Sequence, residues 1–303
     1  MNKVEPRTLP GFMELYPHEQ LEFDRIKNTI IDTYKNYGFF PLDTPVIEYS
    51  EVLLAKAGGE TEKQIYRFMK GETDLSLRFD LTVPLAKYVA MNYNELSFPF
   101  RRYQIGKVYR GERAQRGRYR EFYQCDIDVI GDEELSIKYD SEMPSIIYDI
   151  FKKLNIGDFV IRINNRKVLG GFFNSLNLTD KITDILRIID KIEKIGEEEV
   201  KKELNELSLN EEQIRKTLNF IKIEGTNQEK LEILKNMNIE DEMFNKGITE
   251  LEEVINDLKA RRLSSENYEI DLTIARGLDY YTGTVYETFL KEHMNLGSIC
   301  SGG

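Results

Sequence analysis

The sequence predicts a mixed α+β chain, on three observations. Short segments with period-2 alternation begin at Leu75, Tyr103, Glu121 and Tyr268. A charged, strand-poor stretch over 165–265 reads as helix; KIEKIGEEEVKKEL, for example, has nine charged residues in fourteen positions, interleaved with Ile and Val. Between two of the strands, 101–120 holds eight Arg or Lys against one acid, Glu112, in a chain of net charge −11.

Taken in order, Phe23, Ile26, Ile30, Tyr34 and Tyr37 recur at helical spacing before Gly38, an amphipathic helix with a glycine stop. After PLDTPVIEYSEVL, the segment DLSLRF alternates Leu75, Leu77 and Phe79 with Ser76 and Arg78, a strand that delivers Asp80 at its end. Val83 to Tyr93 reads as helix, with Thr82 and Pro84 near its start. Tyr103 to Arg110 is a strand of β-formers, and Gly111 to Tyr119 a polar loop rich in Gly and Arg. From Glu121 the odd positions Tyr123, Cys125, Ile127 and Val129 are apolar, while Phe122, Gln124, Asp126 and Asp128 form a mostly polar second face. One face is expected to pack and the other to bind; Gln124 and Asp128 share the binding face, ~13 Å apart at ~3.3 Å per residue. Cys125 is expected to be a small buried strand residue.

A local excess of cations in an acidic chain needs a local reason, and an anion held between two strands, such as nucleotide phosphate, supplies one. Charge alone equally describes a solvated edge or a nucleic-acid contact. A second segment, RGLDYYTGTVYE at 276–287, follows the alternation of Tyr268, Ile270, Leu272 and Ile274; it places Arg276 at a strand end and Gly277 and Gly283 around a bend before the β-rich Thr284 to Leu290. An arginine with paired tyrosines at a strand junction suits ligand contact. With 303 residues, 41% of them hydrophobic, the chain can bury one large domain with an insertion. Cys125 and Cys300 are the two cysteines and His18 and His293 the two histidines, a set that fits neither a disulfide framework nor a structural zinc site. No apolar run approaches ~18 residues, and MNKVEPRTLPGF lacks the apolar core of a signal peptide, so no membrane span and a cytoplasmic location are expected.

YRGERAQRGRYREFYQCDIDVIG resembles motif 2 of the histidyl-tRNA synthetase family of class II aminoacyl-tRNA synthetases, and RGLDYYTGTVYE resembles that family's histidine-specific signature. LPGFMELYPHEQ, YGFFPLDTPVIEYSEVL and SLRFDLTVPLAKYVA match their counterparts in family order. The resemblance implies the class II catalytic fold, a mixed, mainly antiparallel sheet flanked by helices, over 1–164 and 266–303, with a helical insertion at 165–265. It implies ATP-dependent activation of L-histidine to the adenylate and transfer to tRNA(His), with Mg2+ accompanying the nucleotide. By position, Arg110 would contact the histidine carboxylate and the α-phosphate, Glu112 would approach the adenosine, Arg118 would face the outer phosphates, and Phe122 would stack on adenine. Asp80 and Thr82 would hold the α-amino group. Gln124 and Asp128 would line the histidine pocket, Arg276 would be the catalytic arginine, and Tyr280 and Tyr281 would surround the bound histidine. Asp stands at 80 and 128 where many members carry Glu, which keeps the carboxylate but shortens its reach.

The chemistry suits those residue types. The histidine carboxylate is itself the nucleophile, so positioned cations at the α-phosphate are what catalysis requires. The family's motif 1, near YGFFPLDTPVIE, implies a homodimer, and its insertion is thought to help clasp tRNA. The chain stops at SGG, where the family continues into motif 3 and an anticodon-binding domain; the expectation is a fragment that binds histidine weakly and has little activity alone. A histidine-sensing paralogue, the regulatory subunit of ATP phosphoribosyltransferase, shares the fold, and a noncatalytic nucleic-acid-binding module would use the basic hairpin. Retention of Arg110, Glu112, Arg118, Phe122 and Arg276 together favours the synthetase.

Overall fold

The first helical spacing in the sequence becomes α1, Pro17–Asn36, in a computed structural model that describes residues 4–55, 60–113, 117–189, 191–274 and 281–303. Pro17 at its first position needs no partner for a missing N–H. Gly38 takes φ +78° beyond its end and donates its N–H to the Lys35 carbonyl at 2.9 Å, the glycine stop expected there. The chain divides into two compact units, 1–135 and 136–303.

In the first unit α1 is followed by β1 (Phe40–Pro41), β2 (Ile47–Tyr49), α2 (Ser50–Leu53), α3 (Glu60–Gln64), β3 (Arg67–Lys70), β4 (Thr73–Leu77), α4 (Thr82–Asn92), β5 (Phe100–Tyr109) and β6 (Glu121–Ile130). Strands β2, β4 and β3 form an antiparallel sheet in that order. In a second sheet β1 lies parallel to β5, which runs antiparallel to β6 over ten paired positions. Helix α1 covers the odd face of this sheet, with the Tyr34 ring 5.7 Å from Tyr103 and Phe23 5.0 Å from Tyr123. The Tyr34 hydroxyl donates to the Cys125 carbonyl at 3.0 Å.

That cover is partial, and it overturns one expectation. Tyr123 is 41% exposed and Cys125 is exposed, not buried, because β6 is the edge strand of its sheet and α1 covers its odd face only in part. Alternation correctly separated two faces of β6; which face was the more enclosed depended on a helix about ninety residues away in sequence.

The second unit begins with α5 (Lys138–Leu154), β7 (Phe159–Asn165) and α6 (Arg166–Ser175). It continues through α7 (Ile182–Ile189), α8 (Ile192–Ile195), α9 (Glu197–Glu206), α10 (Glu211–Ile221), α11 (Asn227–Asn236) and α12 (Glu242–Ala260), then β8 (Tyr268–Ile270), β9 (Thr284–Leu290) and β10 (Cys300–Gly302). Its sheet has the order β10-β9-β7-β8, with only β7 and β8 parallel. Antiparallel pairing therefore dominates the described sheets, helices flank them, and helices fill 166–260. One apolar core runs from β7 (Phe159, Ile161, Ile163) through α6, α10 and α12; Phe172 stacks on Phe220 at 3.8 Å.

Small residues set how closely α6 and α12 approach. A Cβ on Gly247 of α12 would lie 2.5 Å from the Val168 backbone nitrogen and 2.9 Å from the Lys167 carbonyl carbon, both on α6. Alanine ordinarily stabilises a helix interior over glycine by ~1 kcal/mol. Here Gly247→Ala is expected to destabilise by ~1–3 kcal/mol in urea unfolding, because the obstacle is backbone.

Candidate active site

The β5–β6 hairpin fixes which side chains meet. Its register sets Arg102 opposite Asp128, Gln104 opposite Asp126, Gly106 opposite Gln124 and Val108 opposite Phe122. The even face of the hairpin thus combines the polar face expected of β6 with a row from β5 that contains a fully buried arginine. Arg102 Nη2 donates to the Leu81 carbonyl at 3.2 Å and lies 2.7 Å from Asp128 Oδ2. The latter approach is an ion pair without hydrogen-bond direction, so Asp128 Oδ2 keeps an unused lone pair, and Arg102 Nε and Nη1 have no acceptor.

A second arginine lies over Gly106. Arg78, 3% exposed, donates through Nε to the Lys107 carbonyl at 2.8 Å and through Nη1 to the Thr44 carbonyl at 2.6 Å. A side chain at position 106 would overlap its Nη2, which is why glycine stands there. Asp43, 3.6 Å from Arg78, also accepts from Gln104 Nε2 at 3.0 Å. Strand β4 and the first turn of α4 are thereby tied to the hairpin floor.

That tie places Asp80 and Thr82. The Asp80 carboxylate accepts the backbone N–H of Thr82 at 3.0 Å and of Val83 at 2.9 Å, capping α4. The cap holds the carboxylate in one orientation beside Arg110, with which it interacts electrostatically. Arg110, at the end of β5, donates through Nε to the Phe79 carbonyl at 3.3 Å. Its guanidinium lies 4.5 Å from the Phe79 ring centre and 5.1 Å from that of Phe122. Burial pushes its pKa below the ordinary arginine value, opposed by the carboxylates of Asp80, Glu112 and Asp126; an arginine still stays charged. At the loop, Arg118 is exposed and lies 3.5 Å from Glu112, whose backbone carbonyl accepts from Arg120 Nε at 3.0 Å.

The basic run separates into two groups. Arg101 donates to the Tyr37 carbonyl and stacks 4.3 Å over Phe39, Arg102 pairs with Asp128, and Lys107 pairs with Glu121 at 2.8 Å. These three β5 cations serve the hairpin itself. Nearer the turn, Arg110 contacts Phe79 and Phe122 and Arg118 lies beside Glu112. The even face of β6 therefore brings Phe122, Gln124 and Asp128 into line with Arg110, Asp80 and Thr82. Arg276 and Tyr280 lie outside the described residues; Tyr281 packs against the small cluster of Val160, Ile274, Val285 and Phe289 in the second unit.

Asp126 and Arg102 were not singled out from the sequence. Asp126 stands between Gln124 and Asp128, and its pKa is pushed up to about 6, first by burial and then by Asp128 and Asp80, against Arg102. Burial also raises Asp128, again against Arg102. The Asp128 side chain nonetheless keeps 30% exposure.

The family described as histidyl-tRNA synthetase matches residues 11–303. The chain belongs to the histidyl-tRNA synthetase family. It is 61% identical over 300 residues to a histidine–tRNA ligase of Clostridium tetani, covering 99% of this chain and 68% of that protein. A histidine–tRNA ligase of Finegoldia magna is 51% identical, with 99% and 69% covered. Among solved structures, histidyl-tRNA synthetase from Nostoc sp. PCC 7120 superposes with a TM-score of 0.92 at 49% identity, over 99% of this chain and 69% of that one. A Bacillus halodurans protein titled an ATP phosphoribosyltransferase regulatory subunit/histidyl-tRNA synthetase shares the fold, with a TM-score of 0.85 at 21% identity. The chain has the class II synthetase catalytic fold.

Keeping Asp126 ionised carries a cost to the stability of this chain. Its folded pKa of about 6 lies above the usual 3.8, so its contribution favours the fold below ~3.8 and is lost as pH rises through about 6. Two pKa units correspond to ~3 kcal/mol at most, and less for a group with partial solvent access. Asp126→Asn is expected to stabilise the chain by ~1–2 kcal/mol at pH 8 and by nothing measurable near pH 4, read from denaturant midpoints at the two pH values.

Proposed function

We propose that this chain carries out the adenylation half of the histidine–tRNA ligase reaction, ahead of transfer to tRNA(His). A carboxylate oxygen of L-histidine attacks the α-phosphorus of ATP, the bond from that phosphorus to the bridging oxygen breaks, and pyrophosphate leaves with the electron pair. The observation that carries the reading is Arg110: a charged guanidinium fixed by Phe79 and Phe122, with the carboxylates of Asp80, Glu112 and Asp126 acting on it and the Gln124–Asp128 face further along the same hairpin. Charge accumulates on the α-phosphate oxygens in the transition state, and a preoriented planar cation stabilises it without reorganising.

The other roles follow from placement. Asp80, oriented by its cap on α4, would receive the substrate ammonium together with Thr82. Phe122 would offer its ring to adenine, with Glu112 toward the adenosine and Arg118 toward the outer phosphates. Gln124 and Asp128 would meet hydrogen-bond donors of histidine, and an intruding side chain without them would leave buried acceptors unpaired. Arg276, Tyr280 and Tyr281 keep the roles that the family pattern implies. Mg2+ completes its octahedron largely with phosphate oxygens and water; among the described residues no group of three or more His, Cys, Asp or Glu is gathered for a metal, so the ion would enter with ATP.

We further infer the family's homodimer through the motif 1 region, where Phe40, Ile47 and Tyr49 are 71%, 46% and 57% exposed. We keep the reading of a catalytic core over 1–164 and 266–303 with a helical insertion at 165–265, which would serve either as a plain helical cap or in tRNA contact; the compact units themselves divide at 135/136. Among the described residues no helix is long and apolar enough to cross a membrane, and cytoplasmic action is inferred.

Histidine-dependent ATP–pyrophosphate exchange tests the reading. Arg110→Lys is expected to lower the exchange rate by about 10²–10³-fold, with a smaller change in histidine affinity, because a lysine cannot present the planar fork. Histidine binding without any exchange would instead indicate a sensing paralogue.

A further inference from the structure

Gln124 is held in an unusual way for a residue that must recognise a ligand. Its Nε2 lies 3.4 Å from both carboxylate oxygens of Asp126, two residues along the same face of β6. Its Oε1 is buried and has no hydrogen-bond partner. A free amide side chain could turn either end outward, offering a donor or an acceptor. A carboxylate accepts only, so an ionised neighbour selects one of the two orientations. We propose that Asp126 is a positioning residue: by accepting the Gln124 amide N–H groups, its carboxylate holds Gln124 so that the buried, unpartnered Oε1 is the fixed acceptor for an N–H of bound histidine. This rests on the histidine reading above and deepens it.

The groups facing Asp126 are compatible with such a role. Asp128 on its own strand and Asp80 at the start of α4 favour its protonation; Arg102, opposite Asp128 on β5, opposes it, and Arg110 at the end of β5 interacts with it as a further cation. Arg102 makes its close ion pair with Asp128, not with Asp126. That leaves Asp126 without a dedicated cation and free to orient the amide. Once protonated, Asp126 can itself donate to an amide oxygen, and the selection of the Gln124 orientation is lost. With its pKa pushed up to about 6, that change falls between pH 5 and pH 8.

Calorimetric titration of the chain with L-histidine, at pH 8 and pH 5, tests the proposal on wild type, Asp126→Ala, Gln124→Ala and the double variant. The ratio of variant to wild-type Kd at each pH cancels the ligand's own titration. Asp126→Ala is expected to weaken binding about tenfold at pH 8, the scale of one oriented hydrogen bond to a ligand, and by a ratio close to one at pH 5. Asp126→Asn is expected to fall between, since an Asn oxygen still accepts but its amide can also turn. On the Gln124→Ala background, removal of Asp126 is expected to add nothing, the coupling that a general packing role would not produce.

Two ligands then locate the N–H. If imidazolepropionate, which lacks the amino group, no longer distinguishes Asp126→Ala from wild type, the acceptor reads the ammonium. If a ring-N-methylated histidine loses the distinction instead, it reads the imidazole. Either result supports the proposal, and full sensitivity retained by both ligands overturns it. An equal loss at both pH values, or an undiminished effect in the double variant, also overturns it while leaving the histidine reading intact. Wild type that binds no histidine overturns both.

Discussion

Arg102 has no exposed surface, and much of the first unit is arranged around that one charge. A guanidinium taken out of water costs several kcal/mol unless a counter-charge and acceptors receive it. Asp128 supplies the counter-charge from the paired strand, and the Leu81 carbonyl an acceptor from the turn before α4. Both links are specific to register: a one-residue slip of β6 against β5 would send Asp128 to the opposite face and leave the cation alone. The same pairing that neutralises Arg102 therefore places Gln124, Asp126 and Asp128 in one row and keeps the start of α4 against it.

A parallel device stands four residues along β5, where Gly106 gives up its side chain so that Arg78 can lie across the strand and reach carbonyls at Thr44 and Lys107. With both arginines in place, three separate stretches of chain are fixed to one floor: the segment after β1, the β4–α4 junction and the hairpin. The floor is stable where its polar groups are satisfied and less so where they are not. Arg102 Nε and Nη1, Gln124 Oε1 and Asp128 Oδ2 remain without hydrogen bonds, and Asp126 is raised toward neutrality. Unsatisfied groups concentrated on one face are a cost to folding that a ligand with matching donors would offset.

The elements that carry the candidate site residues were legible. Phe122, Gln124 and Asp128 lie on one face of β6 as their alternation implied, and Asp80 does stand where a strand gives way to a helix. What the charge count blurred was the division of labour within the basic run. Arg101, Arg102 and Lys107 carry the same charge as Arg110 and Arg118 but meet partners supplied by the segment after α1 and by β6, and their spacing in sequence does not announce those partners. Asp126 was passed over for a similar reason: it reads as one more polar residue of the even face until the register places it beside Gln124, opposite Gln104 and under the field of Asp128. Cys125 went the other way, since an apolar neighbour pattern implies burial only when something covers that face.

By itself the sequence determined the elements and their faces, because period 2 and period 3.6 are local properties of the backbone and of consecutive residues. It also determined the chemistry available, since the arginine, carboxylate and amide set and its family pattern are written in contiguous motifs. Only the tertiary structure decided which β5 cations are paired within the fold, which face of β6 is the more enclosed, and that a further carboxylate, Asp126, lies beside Gln124. Those outcomes depend on distances between segments tens of residues apart. Burial and electrostatic energies are set by those distances, not by spacing along the chain.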